Sequence, residues 1–582
     1  MISPANIKRF KRPLAVGLIL MAAFFFFVQH IDVHGMEYRD DEIFYFQSVQ
    51  EMIRGQNWLS PTYYGEHRFQ KPILFYWLVI LSSLAGGLGW FSARLVSVGF
   101  AALTVTLTWI LARQMFHKWT AVLSCMILMT FPMFFRHAKN VVPDMTLNFF
   151  IVAASVAAWH YIQDPDKKIY RILFFVTCAL GFMVKGFAAI VVPFLTLIIY
   201  AVSQKRLDLL RRLNFPAGLL LMLVIILPWF VYMGLVHGQQ YFDFMVRQET
   251  MNRLVNPEQP NMLVQIFQTL KVNVPFYLGV LATHFSPWSL FIVPAVPFIF
   301  MRIRPQKQGR EPLVFLTIWT GIVFLFFSFV FFHINHYLLV LSTPLALLLA
   351  FFLVEGPLSR PGGIGQRMLK GVFVFLLFLG FLSISLVFVY LAGLSFAWLV
   401  VYGIGIVGMI ILTIRARQSF LPPVLLGLFL IVVLFQSDVI SRSGLCPHVV
   451  YQDLAFWMRG AQYDDYTIDV ASHSLHEKEL QVYFQRRVIK TGHGHEPLTR
   501  QNLIKFLKNN ESAFIVITAE DHDRYEADLV QYQLKPIIRT AISRKSYDLD
   551  VDFLRALFRL DREGIRAYIM QPILLLRKDR HV

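Results

Sequence analysis

Three acids stand together at Asp40, Asp41 and Glu42. Carboxylates in such a cluster can take a proton from an attacking hydroxyl or hold a divalent cation; one of them can equally serve as a helix N-cap. They open a helical pattern that runs to Arg54 and stops at Gly55, with Ile43, Phe46, Val49 and Ile53 on one apolar face, so this helix is expected to lie along a membrane surface. Lys71, just before Pro72, is a cation that suits a lipid phosphate at head-group depth, or a lysine that merely snorkels. Asp144 follows Pro143 at the start of an apolar run, as a site acid or a simple helix-start acid. The stretch FDFMVRQETMNRLVNPEQP carries Arg247, Glu249 and Arg253; an arginine there can grip a phosphate with two donors, or belong to a solvated basic face. FFHINHY supplies His333, His336 and Tyr337, and two histidines at i, i+3 are a weak metal signal. Glycine-rich phosphate loops, nucleophile elbows and nicotinamide fingerprints are absent.

The elements that must position these residues are membrane spans. Of 582 residues, 56% are hydrophobic and 15% charged, against roughly 25% charged in soluble domains, and mean hydropathy is +0.55. Apolar runs from 13–30 to 421–437, among them 119–135, 187–203, 276–301, 371–391 and 395–414, amount to about thirteen spans by the ~20-residue criterion. The net charge of +18 is not a nucleic-acid footprint, because residues 441–582 hold 21 Lys+Arg against 19 Asp+Glu and the excess lies among the spans. With a cytoplasmic N-terminus (Lys8, Arg9, Lys11, Arg12) and 73–84 treated as an interfacial or re-entrant helix, every strongly basic short loop falls on the cytoplasmic side. The layout is then a transmembrane domain over 1–437, with outer loops at 31–91 and 236–275, and an extracytoplasmic domain over 438–582. The last alternates strand-like runs (YTIDVAS, SAFIVITAE, YIMQPILLLRK) with helix-like ones, the pattern of a small soluble α/β domain. Cys125, Cys178 and Cys446 form no Cys-x-x-Cys pair and imply no disulfide framework. Every candidate acid and cation sits at an outer loop edge. Transporters more often place ionisable groups mid-membrane, so the arrangement favours an interfacial enzyme over a transporter or flippase.

At the first loop the chain resembles the polyprenyl-phosphate-sugar glycosyltransferases of the GT-C fold. It is most similar to the aminoarabinose–lipid A transferase group and its protein O-mannosyltransferase relatives. The residues that carry the resemblance are DEIFYFQSVQEMIRGQNWLSPTYYGEHRFQKP, supported by GWFSARLVS, RHAKNVVPD, GFMVKG, LPWF, the Arg253 region, FSPWSL and YLLVLSTPLALLL. It covers residues 1 to about 355; beyond that only the layout agrees. The resemblance implies that Asp41 is the catalytic base, that Lys71 and Arg253 hold the carrier phosphate, and that Asp144 is a second acid near the site. Glu42 and Tyr45 match neighbouring motif positions, and Glu249 and Tyr337 lie in matching segments. Gln70 departs from a common glutamate, Thr250 from a histidine and Phe44 from an arginine, which leaves the particular sugar, acceptor and any metal open.

The expected protein is therefore a multi-pass bacterial inner-membrane glycosyltransferase with its site on the periplasmic side. It would move a sugar from a polyprenyl (undecaprenyl) phosphate donor to lipid A or another glycolipid by inverting displacement, with a protein acceptor as the alternative. A divalent cation is a possible cofactor, no nucleic acid is a partner, and a monomer is expected.

Overall fold

The computed structural model describes residues 4–29, 31, 40–245, 249, 262–304, 309–356, 467–471, 498–510, 512–543 and 570–578, with isolated positions between 367 and 411. By internal contacts the chain divides into two compact units, one of Met1–Ile31, Ser48–Leu377 and Met409–Val433, the other of Asp32–Gln47, Phe378–Gly408 and Leu434–Val582.

In the first unit the order is α1 (Pro4–Val28), the part of α2 (Asp40–Arg54) from Ser48, a short hairpin β1 (Thr62–Tyr63) and β2 (Glu66–His67), α3 (Leu74–Gly86), α4 (Trp90–Met115), α5 (Lys118–Thr130), α6 (Pro132–His137), α7 (Pro143–Gln163), α8 (Lys168–Lys185), α9 (Ala188–Ser203), α10 (Asp208–Arg212) and α11 (Phe215–Phe242). Helices Met262–His284, Ile292–Arg302, Glu311–Phe329 and Ser342–Glu355 follow. Burial separates central from peripheral helices: 83% of the apolar stretch of Pro143–Gln163 is buried, against 17% for Phe215–Met245. On α11, Leu220, Val224, Leu227 and Val231 form an exposed apolar stripe, of the kind that faces lipid or a partner surface. Its inner face approaches α8 through Gly218, where an added Cβ would lie 2.1 Å from the Phe175 ring; small residues set such close helix approaches in membranes.

Among the described residues, five helices are long and apolar enough to cross a membrane, six if one bent pair counts as a span. That is fewer than the thirteen expected. The runs at 119–135 and 187–203 appear as helices of 13 and 16 residues, and those at 371–391, 395–414 and 421–437 lie outside the described residues apart from isolated positions. The single span expected at 276–301 is instead two helices meeting at 115°. Pro287 sits at the break, and a proline brings no N–H to carry helical bonding through the turn. α3, at 13 residues, is about 20 Å long at 1.5 Å per residue, short of the ~30 Å hydrocarbon core. On α2, Ile43, Phe46 and Val49 of the apolar face are buried, and so are Glu42, Gln47, Ser48 and Gln50 on the polar side.

In the second unit the described C-terminal residues form a four-stranded sheet of order β3-β4-β6-β5, from Thr467–Val470, Ala513–Thr518, Met570–Lys578 and Lys535–Ser543. β3 pairs parallel with β4 and the other pairs are antiparallel. β4 is buried along its whole length, as a central strand covered on both faces must be. Helix Arg500–Asn509, capped by Thr499, packs Leu503, Phe506 and Leu507 into a core with Ile515, Ile517, Leu574 and Leu576. Arg500 donates both guanidinium bonds to Asp528, at 2.8 and 2.7 Å.

Candidate active site

The loop after α2 is built to hold Lys71. Between β1 and β2 the chain turns through Tyr64 (φ 51°) and Gly65 (φ 81°), two consecutive left-handed residues of the kind that close two-residue hairpins. Glu51 on α2 accepts from the amides of that turn, Tyr64 N at 2.7 Å and Gly65 N at 3.2 Å, and from Thr62 Oγ1 at 2.6 Å. Burial, with the Glu51 carboxylate close by, pushes the Tyr64 phenol well above its usual range. The loop is fastened on both sides. Trp77 Nε1 donates to Trp58 O at 2.6 Å and Trp229 Nε1 to Leu59 O at 2.9 Å. Arg68 Nε donates to the buried Tyr76 hydroxyl at 3.0 Å. Lys71 leaves this frame with its Nζ on Gln70 O at 2.9 Å and on Glu249 Oε2 at 2.5 Å. Both side chains of that ion pair are about nine-tenths buried.

A second ion pair forms where α7 begins. The turn before it is tied down by Ser97 Oγ on Asn140 O at 2.6 Å and by Lys139 Nζ on Gln29 O at 2.6 Å. Burial and the neighbouring Arg94 hold the Lys139 ammonium below its ordinary 10.5, at about 8. Asp144 then falls in the first turn of α7, where the helix dipole favours an acid. Its Oδ1 accepts from Lys185 Nζ at 2.6 Å, and His336 Nε2 lies 3.5 Å from the same oxygen and 3.4 Å from Lys185 Nζ. One imidazole nitrogen cannot both accept from the ammonium and donate to the carboxylate. Tyr337 places its ring under the Lys185 ammonium at 5.9 Å and stacks on Phe327 at 4.9 Å.

The two ion pairs line one cavity of about 390 Å³ together with Tyr337, while Phe182, Phe187, Phe230 and Phe326 supply apolar wall. The compartment thus combines two ion pairs with aromatic walls. Ionisable groups this well buried in a membrane protein mark functional sites far more often than they stabilise.

Of the expected site residues, Lys71, Glu249, Asp144 and Tyr337 meet in this cavity. Asp41, Glu42 and Tyr45 belong to the second unit; Asp41 is exposed in the first turn of α2, and Glu42 and Tyr45 are buried. Arg253, like Arg247 and Thr250, lies outside the described residues. The histidine pair does not act together, since His336 lines this cavity and His333 another. Among the described residues no three His, Cys, Asp or Glu side chains come together as a metal site. Lys185 was missed by sequence reading; its only signal was position, a lysine closing an apolar helix within GFMVKG.

This fold, with a charged cavity at the helix ends, is of the GT-C type found in integral-membrane glycosyltransferases, as the first loop led us to expect. The profile of the family "Dolichyl-phosphate-mannose-protein mannosyltransferase" matches residues 15–243. The chain is similar to the undecaprenyl phosphate-alpha-4-amino-4-deoxy-L-arabinose arabinosyl transferase of Pseudomonas aeruginosa, 28% identical over 389 residues, 65% of each chain. It is similar also to an uncharacterized protein of Aquifex aeolicus, 27% identical over 355 residues, 61% of this chain and 66% of the other. The match thus spans about 65% of the length of these curated relatives. Among solved structures, ArnT from Cupriavidus metallidurans bound to undecaprenyl phosphate superposes with a TM-score of 0.67 at 18% identity, covering 96% of this chain and 97% of that one. The apo form of the same protein gives 0.66. Likeness at that identity establishes the fold.

Proposed function

We propose that the chain transfers a sugar from a polyprenyl (undecaprenyl) phosphate donor to a hydroxyl outside the cytoplasm, on lipid A or another glycolipid. The observation that carries this reading is the cavity in which Lys71–Glu249 and Lys185–Asp144 share apolar aromatic walls. The relatives named above for undecaprenyl-phosphate-linked aminoarabinose, and the related structure bound to undecaprenyl phosphate, support the donor class.

In the proposed reaction the acceptor oxygen forms a bond to the anomeric carbon as the bond from that carbon to the phosphate oxygen breaks. The polyprenyl phosphate leaves with the electron pair, and the acceptor's proton passes to Asp41. A single displacement inverts the anomeric centre. Lys71, exchanging Glu249 for phosphate oxygens, and Arg253 stabilise the negative charge that grows on the leaving group. Asp144, held by Lys185, fixes the opposite wall, and Glu42 and Tyr45 support Asp41. The protein sits in the bacterial inner membrane as a monomer with about thirteen spans by the ~20-residue criterion. Its N-terminus is cytoplasmic, and residues 438–582 form a periplasmic domain. A protein hydroxyl as acceptor is the second reading, favoured by the match of residues 15–243 to a protein mannosyltransferase family.

The test is turnover of an undecaprenyl-phosphate-linked sugar by purified protein. Asp41→Asn should lose about 10²–10⁴-fold in turnover, the usual worth of a general base, and keep its fold because Asp41 is exposed. Lys71→Ala should raise the donor KM. Turnover by Asp41→Asn within tenfold of wild type removes Asp41 from the reaction.

A further inference from the structure

Charge gathers at both ends of α7. Asp144 stands in its first turn, in the ion-paired cavity. The helix then runs 21 residues to Gln163, about 30 Å at 1.5 Å per residue, the thickness of the hydrocarbon core. α8 returns from a turn at Asp164–Lys167, and its last residue, Lys185, meets Asp144. At the far end, residues 164–171 and 205–212 hold seven Lys and Arg against three Asp. They surround Tyr161, whose hydroxyl donates to Leu209 O at 2.6 Å. Arg171, Arg206 and Arg212 all act electrostatically on that hydroxyl, as does Asp208.

Basic loops on one side of a membrane protein are common and mostly solvated. Two features set this one apart. The first is the state of its arginines. Arg212 and Lys167 have carboxylate partners, Asp166 at 3.2 Å and Asp164 at 2.9 Å, in exposed pairs of the kind that contribute little. Arg171 and Arg206 are half-buried. Arg171 Nη1 donates to Arg212 O at 2.6 Å and Arg206 Nη1 to Ile162 O at 3.0 Å, so among the described residues each has a backbone carbonyl, and no carboxylate, as its partner. A guanidinium carries five N–H donors, which leaves both able to grip an oxyanion. The second feature is the surface beside them. Ile169, Ile172 and Leu173 on α8 and Phe215, Leu219 and Leu220 on α11 are exposed, and the two helices pack together with Phe175 against Phe215, ring centroids 6.4 Å apart. Both helices begin here, with no acid in the first turn and no side-chain cap, so their free amides and dipoles add positive potential.

We infer that this cluster binds the phosphate head group of an anionic phospholipid in the leaflet opposite the candidate active site, with the acyl chains along the exposed faces of α8 and α11. The adjoining apolar surface selects a lipid over a soluble anion. The length of α7 separates this site from the ion-paired cavity. The inference needs the membrane location of the fold and not the proposed transfer reaction.

The experiment uses the full chain purified in an uncharged detergent. Phosphatidylglycerol and phosphatidylcholine with the same acyl chains are offered, and retention is read by native mass spectrometry. The wild type should retain phosphatidylglycerol at least about tenfold better, the order expected of two or more cations at a head group. Arg171→Gln/Arg206→Gln keeps a carboxamide donor for each carbonyl and should lose that preference. Where it does not fold, Lys168→Gln/Arg211→Gln, at exposed positions, should lose it instead. Arg113→Gln/Lys118→Gln removes two exposed cations between α4 and α5 and should leave it unchanged. Equal retention of the two lipids by the wild type overturns the site, as does an unchanged preference in the folded cluster variant. A loss as large in the Arg113/Lys118 variant would mean diffuse surface charge and overturns it too. Inorganic phosphate added as a competitor should not displace the lipid; displacement would reassign the cluster to a soluble anion.

Discussion

Lys185 shows what a single side chain decides in this site. It closes an apolar helix, where a lysine usually reaches back to the interface, yet its Nζ turns to Asp144 at 2.6 Å and both side chains are largely buried. Removing one partner of a buried ion pair strands the other charge, typically at a cost of about 3–5 kcal/mol, whereas removing both together is far milder. Lys185→Met alone should therefore lower thermal stability sharply, and Asp144→Asn added to it should restore most of the loss. Melting curves of the two single variants and the double variant check this; a double variant no better than Lys185→Met alone would mean that the ion pair is not what makes the lysine necessary. The acidic start of α2 was legible at this scale, because three consecutive acids at a helix start exceed what capping needs. Lys185 and the Lys71–Glu249 pair were not. Residues 178 positions apart carry no sequence signal of being neighbours.

Among the elements, the first loop and helix Met262–His284 do the positioning. Glu51 closes the β1–β2 turn, and Trp77 and Trp229 clasp the loop that ends in Lys71. Asn273, almost fully buried, holds the carbonyls of Ser328 and Val330. Asn273→Ala leaves those carbonyls without their donor, a loss of about 1–3 kcal/mol. The segment that carries those carbonyls should loosen as well, so hydrogen exchange at residues 328–337 should speed up while exchange in α7 does not. Unchanged protection there would show that Asn273 does not fasten it. The apolar runs marked most helices of this unit. The 115° break near Pro287 and the burial of the polar side of α2 were illegible, because periodicity reports which face is apolar and not how many neighbours surround a helix.

For the whole molecule, a cell lacking this protein should lose one sugar-bearing species from its outer glycolipids, read as the missing mass of one sugar on lipid A or a related lipid. Unchanged glycolipids with a sugar missing from a secreted protein would move the acceptor to the protein class. Composition alone pointed to a membrane protein, since 15% charged residues fall well short of the roughly 25% typical of soluble domains, and the structure leaves Leu220, Val224 and Leu235 exposed. β3, β4 and β6 are also legible as strand-like runs, whereas β5, the parallel β3–β4 pairing and the antiparallel β4–β6 and β5–β6 pairings are not.

Local chemistry and apolar periodicity belong to the chain itself. From these the amino-acid order alone determined the helical membrane class, the acidic start of α2, the lysine before Pro72 and the resemblance to lipid-linked-sugar transferases. Only the tertiary structure decided that Lys71 meets Glu249, that Asp144 meets Lys185 and His336, and that His333 and His336 face different cavities. The reason is physical: such pairings depend on how separate helices pack against one another, and packing is set by the summed shape of many side chains rather than by any motif within one of them.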